Sequence, residues 1–314
     1  MQQIIRLFPP AVRGGLEKSG IFSRGLEEIR VRVNEYLMFR TAEGELFLRG
    51  SHLLKEADAS CFRPGPDDME QMCTFMCRYS IYAYEEEMRQ GFLTVEGGHR
   101  IGISGQVLTE EKRIRRIYPV SYLNIRIAAE HKGCAESVFP YLHKKNDFYN
   151  TLILSAPGSG KTTLLRDVVR IASDGTRGFA GKNVSLVDER SEIAGCIRGI
   201  PQNEIGVRTD VLDGCPKAEG MMLMVRSMSP ELLAVDEIGG EADLNALRYA
   251  LRCGCRAVGT IHSRDMSELR DKPGFRICLE EKLFSRYVEL NSVSGKRTCR
   301  IFNGDGILIS EEKC

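Results

Sequence analysis

Apolar and charged residues alternate repeatedly in the first 145 or so residues. Apolar Ile29 and Val31 flank charged Arg30, and the pattern extends from Leu26 to Val33. A period of two predicts a half-buried strand of a small sheet. The same argument predicts extended segments at 36–41, 45–48, 92–108 and 123–127, with Gly97-Gly98 turning the segment 92–108 into a hairpin.

A helical spacing interrupts these strands. Asp67 and Asp68 precede apolar residues spaced three and four apart, which form one helix face. The members of this face are Met69, Met72, Phe75, Met76 and Tyr79. We interpret the methionine-rich stripe as core rather than as a cofactor site.

After a polar stretch at 144–150 the pattern changes to short apolar strands alternating with helical segments. We expect strands at 152–155, 184–187, 232–235 and 257–261, and helices at 161–172, 220–228 and 242–251. This order predicts a parallel sheet with right-handed crossovers. The chain is therefore predicted to contain a smaller mixed α+β domain over 1–145 and an α/β domain over 146–314, with the boundary placed within about five residues.

Charge and composition restrict the class of protein. The 314 residues include 44 Lys+Arg and 43 Asp+Glu, so the formal net charge is +1 and wholesale adhesion to nucleic acid is excluded. No run approaches the ~20 apolar residues of a membrane-spanning helix, and the N-terminus lacks a secretory signal pattern. We expect a cytosolic protein whose eleven cysteines are mostly buried, reduced thiols.

A phosphate-binding loop follows the first strand of the second domain. The segment 155–162 reads Ser-Ala-Pro-Gly-Ser-Gly-Lys-Thr, with Ser155 where the pattern usually has glycine. Its amides are expected to surround a nucleotide's phosphates at a helix N-terminus. Lys161 is expected to contact the β- and γ-phosphates, and Thr162 to bind Mg²⁺. The predicted ATP-binding residues are Ala156, Pro157, Gly158, Ser159, Gly160, Lys161, Thr162 and Thr163.

Two apolar strands end in Asp-Glu, at 188–189 and 236–237. Both are expected to bring carboxylates to the carboxyl edge of the sheet. We expect the third strand in sequence to pack beside the phosphate-loop strand, which favours Asp236 as the Mg²⁺ residue and Glu237 as the base that polarises water. Glu189, on a strand expected at the sheet edge, is kept as a second candidate for positioning water, and Asp188 as a solvated charge. His262 ends the next strand and is assigned a nucleotide-sensing role.

Four segments in this order resemble the motor ATPases of type II secretion and type IV pilus systems. They are the phosphate loop, Val-Asp-Glu-Arg at 187–190, Asp-Glu-Ile-Gly at 236–239 and Gly-Thr-Ile-His at 259–262. The resemblance implies a RecA-like P-loop core, Mg²⁺-dependent ATP hydrolysis and a homo-oligomer, a hexameric ring. Ring ATPases commonly receive an arginine from a neighbouring subunit, and the candidates are Arg126, Arg190, Arg198 and Arg208.

Further segments resemble the family of stage III sporulation protein AA over nearly the whole chain. They are LEEIRVR at 26–32, YEEEMRQG at 84–91, GGHRIG at 97–102, NIRIA at 124–128 and VDERSEIAG at 187–195. This resemblance implies a mother-cell ATPase of endospore-forming bacteria. It is expected to dock on cytosolic parts of membrane proteins of the channel apparatus between mother cell and forespore, and to reach the membrane through these partners.

Two alternatives remain open. A nucleic-acid-dependent ATPase would use the basic run 112–116, although that run lacks interleaved aromatic residues and no nucleic acid is expected as a partner. A nucleotide-gated assembly scaffold would bind ATP with little turnover.

Overall fold

The computed structural model describes residues 2–77, 84, 88–89, 91–110, 113–128, 132–272, 274–293 and 296–314. Tyr79, Lys112 and most of segment 84–91 lie outside these residues. The chain divides into two compact units, Met1–Ala129 and Glu130–Cys314. We call them unit 1 and unit 2.

Unit 1 contains an antiparallel sheet with helices. The helices are α1 (Gln2–Ile5), α2 (Pro10–Ser19) and α3 (Pro66–Met76), and the strands are β1 (Leu26–Arg32), β2 (Met38–Thr41), β3 (Gly44–Arg49), β4 (His52–Leu54), β5 (Phe92–Val95), β6 (His99–Glu110) and β7 (Arg113–Arg126). The described strands form the order β4-β3-β2-β1-β7-β6-β5. Its core joins inward-facing strand residues such as Ile29 and Phe39 to the α3 methionines Met69, Met72 and Met76. The predicted core role is confirmed for these three methionines, whereas Phe75 is half-buried and packs against the Arg13 guanidinium.

Unit 2 is built around a mostly parallel sheet. Its helices are α4 (Lys161–Asp174), α5 (Lys217–Met228), α6 (Glu241–Arg252), α7 (Met266–Asp271) and α8 (Phe275–Glu280). Its strands are β8 (His143–Lys144), β9 (Asp147–Phe148), β10 (Thr151–Ser155), β11 (Gly175–Thr176), β12 (Phe179–Ala180), β13 (Val184–Asp188), β14 (Thr209–Asp213), β15 (Leu232–Val235), β16 (Arg256–His262), β17 (Arg286–Val293), β18 (Lys296–Asn303) and β19 (Leu308–Lys313). The large sheet has the order β14-β13-β15-β16-β10-β17-β18-β19.

The six strands from β14 to β17 run parallel, and β18 and β19 then continue the sheet antiparallel. Strands β10, β13 and β15 are buried along their whole length, because hydrophobic clusters cover both faces of the sheet. Apart from the buried Ser185, the polar residues of these strands lie at their ends.

Two sequence expectations differ from the structure here. The units divide at 129/130, earlier than the polar stretch on which the sequence boundary of 145/146 rests, because Ala135, Val138 and Leu142 are buried in the core of unit 2. In addition, Cys299 and Cys314 form a disulfide. The nine other cysteines form no disulfide among the described residues, and five of them are buried.

Candidate nucleotide-binding site

The phosphate loop connects β10 to α4. Lys161 begins the helix directly after Gly160, whose φ is +98°, and Gly158 has a φ of +76°. Glycine adopts these left-handed conformations readily. A β-carbon at Gly158 would meet no heavy atom within 4 Å, so this part of the loop faces open space. The amides of the first helical turn thus lie next to open space that an anion can enter.

Ser155 is accommodated without altering this loop. Ser155 is the last residue of β10 and is fully buried. Its hydroxyl donates a hydrogen bond to the Ala156 carbonyl oxygen at 3.0 Å. The left-handed backbone angles fall on Gly158 and Gly160. The position usually held by glycine therefore needs no left-handed conformation in this chain.

Asp236 connects the end of β15 to the first turn of α4. Its carboxylate accepts a hydrogen bond from the Thr162 hydroxyl at 3.1 Å and another from the Thr260 hydroxyl. Burial raises the pKa of Asp236, while Thr260, Lys161 and Thr162 act against that rise. A hydroxyl and a carboxylate within hydrogen-bond distance form an all-oxygen donor set of the kind Mg²⁺ prefers. The residues present therefore fit this metal.

Glu237 lies one residue further and is held on several sides. Its backbone N–H donates to the Thr260 hydroxyl at 2.7 Å, and its φ of +58° is unusual for a residue with a side chain. The His262 Nε2 lies 2.6 Å from its carboxylate, and the Arg190 guanidinium lies 3.3 Å from it. The neighbouring residues thus fix both the backbone and the carboxylate of Glu237.

His262 joins Glu237 to the phosphate-loop lysine. The Lys161 ammonium lies 3.0 Å from the imidazole nitrogens. An ammonium only donates and an ionised carboxylate only accepts. We therefore assign the proton to Nε2, which donates to Glu237, and the lone pair to Nδ1, which accepts from Lys161. The expected position of His262 at this edge is confirmed.

The strand order corrects one step of the sequence argument. We expected β15 to pack beside β10, but β16 lies between them. Asp236 still reaches Thr162 because the strand ends meet at one edge. Glu189 also lies at the carboxyl ends of the strands. Strand β13 is not the outermost strand that we expected, since β14 lies outside it.

The Glu189 carboxylate lies 2.9 Å from the Lys217 ammonium of α5 and is 37% exposed. Asp188, which we took for a solvated charge, is 1% exposed and accepts backbone N–H bonds from residues 192, 193 and 194. Burial raises its pKa to about 6. Asp188 therefore fixes the loop after β13.

The four candidate arginines lie in different surroundings. Arg190 contacts Glu237, as described above. Arg208 donates to the Ser173 carbonyl at the C-terminal end of α4, far along the helix from the phosphate loop. Arg198 and Arg126 are exposed, the latter at the end of β7 in unit 1. Exposure is compatible with a contact in trans, whereas Arg208, which precedes β14, is bonded to the end of α4.

Sequence reasoning did not single out two residues near this site. Thr260 bonds to both Asp236 and Glu237, and its place in the Gly-Thr-Ile-His segment was the available signal. Arg297 of β18 lies against Gly160, and no motif marked it.

Comparisons with known proteins show the family of this chain. Residues 1–309 match the family model described as Sporulation stage III, protein AA. The chain belongs to that family. Stage III sporulation protein AA of Bacillus subtilis (strain 168) is 41% identical over 286 residues, which cover 91% of this chain and 89% of the relative. The family resemblance inferred from the sequence is confirmed.

Solved structures support the fold of this family member. The Legionella pneumophila ATPase DotB matches with a TM-score of 0.57 and 15% identity, covering 91% of this chain and 79% of DotB. The pilus retraction motor PilT, solved with bound ADP, matches with a TM-score of 0.59 and 10% identity, covering 94% of this chain and 82% of PilT. The predicted P-loop ATPase fold is confirmed. Within the described residues, no helix has the length and apolar character needed to cross a membrane.

Proposed function

We propose that this chain binds Mg²⁺-ATP at the phosphate loop and hydrolyses it. The observation that carries the proposal is the 3.1 Å hydrogen bond between Thr162 and Asp236, which joins the loop to the acidic end of β15. Lys161 would bind the phosphates together with the backbone N–H groups of 156–163 other than Pro157, which has none. Thr162 and Asp236 would hold the Mg²⁺, which supplies charge neutralisation at the phosphates when bound.

Glu237 is the proposed general base. Its carboxylate would take a proton from a water molecule, whose oxygen bonds to the γ-phosphorus while the bond between that phosphorus and the bridging oxygen of ADP breaks. The electron pair of the broken bond leaves with ADP. His262 orients this carboxylate through its 2.6 Å contact.

His262 also gives the site a means of sensing phosphate. Because one imidazole contacts both Lys161 and Glu237, movement of the ammonium toward a phosphate changes the hydrogen bonding of the residue that orients the base. Contact with the γ-phosphate and the orientation of Glu237 are coupled in this proposal.

At the level of the cell, we propose a motor ATPase that energises or assembles a membrane channel complex between mother cell and forespore. The family membership and the secretion-ATPase fold support it. The chain would act as a hexameric ring in the mother-cell cytosol, bound to cytosolic parts of the channel's membrane proteins.

The test is ATP turnover by the purified chain over a range of protein concentrations, with Lys161→Ala as the inactive variant. We expect magnesium-dependent turnover whose rate per chain rises with assembly, and a loss of at least about 100-fold in Lys161→Ala. Equal turnover in both proteins would contradict the proposal.

A nucleotide-gated scaffold is the second candidate, and the contacts of Glu237 favour it. One carboxylate oxygen of Glu237 is contacted by Arg190 and the other by His262, so an attacking water molecule has to compete with these contacts. Sporulation supported equally by the parent and by Glu237→Gln would favour the scaffold, whereas loss of sporulation would favour the motor.

A further inference from the structure

A hairpin forms a wall on one side of the phosphate loop. Strand β10 ends at Ser155, but its neighbour β17, which pairs with it from Thr151↔Arg286 to Leu154↔Glu289, continues to Val293. Strand β18 returns beside this extension, with Arg297 opposite Ser292. The extended part of the hairpin therefore lies beyond the sheet edge at which β10 turns into the loop.

Arg297 contacts the loop from this wall. An ideal β-carbon on Gly160 would lie 3.2 Å from Cζ of Arg297 and 3.4 and 3.5 Å from its two terminal nitrogens. Gly160 therefore leaves the space that the guanidinium occupies. Cys134, whose Sγ lies 3.8 Å from the Thr163 carbonyl oxygen, is near the same helical turn. The positive charge of Arg297 acts against the burial that raises the pKa of the Cys134 thiol to about 11.

The guanidinium of Arg297 has no carboxylate partner among the residues that the structure describes, although it is half-buried. Two other arginines of the same sheet are paired with carboxylates. Arg300 on the same strand contacts the buried Glu289 at 3.0 Å, and Arg256 contacts Asp147 at 2.7 Å. This half-buried guanidinium lies beside a phosphate-binding loop. A phosphate oxygen bound there is an anion with which it can form charge-assisted hydrogen bonds.

The sheet order gives the position of Arg297 relative to the acidic residues. Asp236 and Glu237 follow β15, and His262 is the last residue of β16. Both strands lie on one side of β10, whereas β17 and β18 lie on its other side. The metal-binding and water-activating groups are thus on one flank of the loop and Arg297 is on the opposite flank. The γ-phosphate has to lie toward the acidic flank, so the inner phosphates are the ones left for Arg297.

We propose that Arg297 binds the α- and β-phosphates of the nucleotide from within the same chain. It contributes to the affinity for ATP and for ADP, because both contain these two phosphates. Its role differs from that of an arginine that a neighbouring subunit supplies to the γ-phosphate. This role rests on the proposed nucleotide-binding function.

The test is calorimetric titration of the full chain with Mg²⁺-ATP and, separately, with Mg²⁺-ADP. Arg297→Gln is expected to raise both dissociation constants by about tenfold or more, since hydrogen bonds to charged groups are strong. Arg297→Lys should weaken both several-fold, because an ammonium lacks the planar two-pronged geometry of the guanidinium. Arg256→Gln, at the opposite edge of the sheet, serves as the matched control and should bind like the parent.

Thermal unfolding without nucleotide separates binding from structure. The proposal requires unchanged unfolding midpoints together with weakened binding of both nucleotides. Weakened ATP binding with unchanged ADP binding would place Arg297 at the γ-phosphate and overturn the proposal, as would unchanged binding of both. If Arg297→Gln does not fold, Arg297→Lys decides: binding equal to the parent contradicts the proposal. A parent chain that binds neither nucleotide would instead remove the proposed function itself.

Discussion

Unit 1 and unit 2 distribute their polar residues in different ways. In unit 1, strand β1 alternates buried Ile29 and Val31 with more exposed neighbours, so charged side chains are spread over one sheet face. In unit 2, β10, β13 and β15 are buried throughout, and apart from Ser185 inside β13 their polar residues lie at the ends. Because the ends of parallel strands share one edge, this arrangement concentrates reactive groups next to the phosphate loop. The chemistry of the chain is therefore expected in unit 2.

The largest expected effect on ATP turnover comes from Glu237, at the end of β15. Glu237→Gln should lower ATP turnover by at least about 100-fold, because the amide cannot accept the proton of water. Binding of Mg²⁺-ATP should stay within about threefold of the parent, since Glu237 contacts neither the loop amides nor Thr162 in the proposed mechanism.

Glu231→Gln is the matched control, because Glu231 precedes the same strand at the opposite edge and pairs with Lys182 at 2.9 Å. Turnover in Glu231→Gln should equal that of the parent. Similar turnover in the two variants would show that the position at the strand end has no special role.

Unit 1 should respond to acid through His99. This residue is 4% exposed, its Nδ1 accepts the Ala128 N–H at 3.0 Å, and burial lowers its pKa to about 4. The unfolded chain takes up a proton at the ordinary pKa, so this contribution to stability is complete above about pH 6.5 and falls as the pH falls toward 4. We expect a loss of ~2 kcal/mol in the free energy of unfolding between pH 7 and pH 5.

The measurement is urea unfolding of the parent and of His99→Gln at both pH values. The variant should lack this part of the pH dependence. If the two proteins lose the same free energy of unfolding on acidification, His99 is not responsible.

In unit 2, Asp188 should make the free energy of unfolding change with pH in the opposite direction. Burial raises the pKa of Asp188 to about 6 from an ordinary value of 3.8, so between these values the folded state holds more protons than the unfolded state. This contribution favours folding at low pH and is lost as the pH rises through 6. We expect a gain of ~1 kcal/mol between pH 7 and pH 5, measured as the difference in urea unfolding between the parent and Asp188→Asn. A difference that does not change with pH would contradict the assignment.

The smallest expected effect is at Glu189. Its carboxylate is partly exposed and paired with Lys217, and such ion pairs contribute little to stability. Glu189→Gln should therefore change turnover by no more than about threefold. A loss as large as that of Glu237→Gln would make Glu189 a second residue of the reaction centre.

The buried strands and their acidic ends could be predicted because their pattern is local. Helix α2 was not predicted, since Gly14 and Gly15 lower helix propensity. The structure explains Gly15: a β-carbon there would lie 2.2 Å from the Gly50 carbonyl oxygen, so close packing requires glycine. The contact between Arg190 and Glu237 lies where Ser191 and Glu237 have left-handed backbone, which residue type does not indicate.

Arg297 was missed for a different reason. Its role depends on a hairpin that extends past β10, and an arginine between polar residues near a turn resembles any exposed charge. The pairing of strands that are distant in sequence, and not the residues themselves, brings Arg297 beside Gly160.

The central claim is that residues 155–163 and the 236–237 pair form one site for a magnesium triphosphate. Calorimetric titration of the parent and of Lys161→Ala with Mg²⁺-ATP tests it most directly. The account predicts saturable binding of about one nucleotide per chain in the parent and at least about tenfold weaker binding in Lys161→Ala. Binding of the same strength in both proteins, or no binding in the parent, would contradict it.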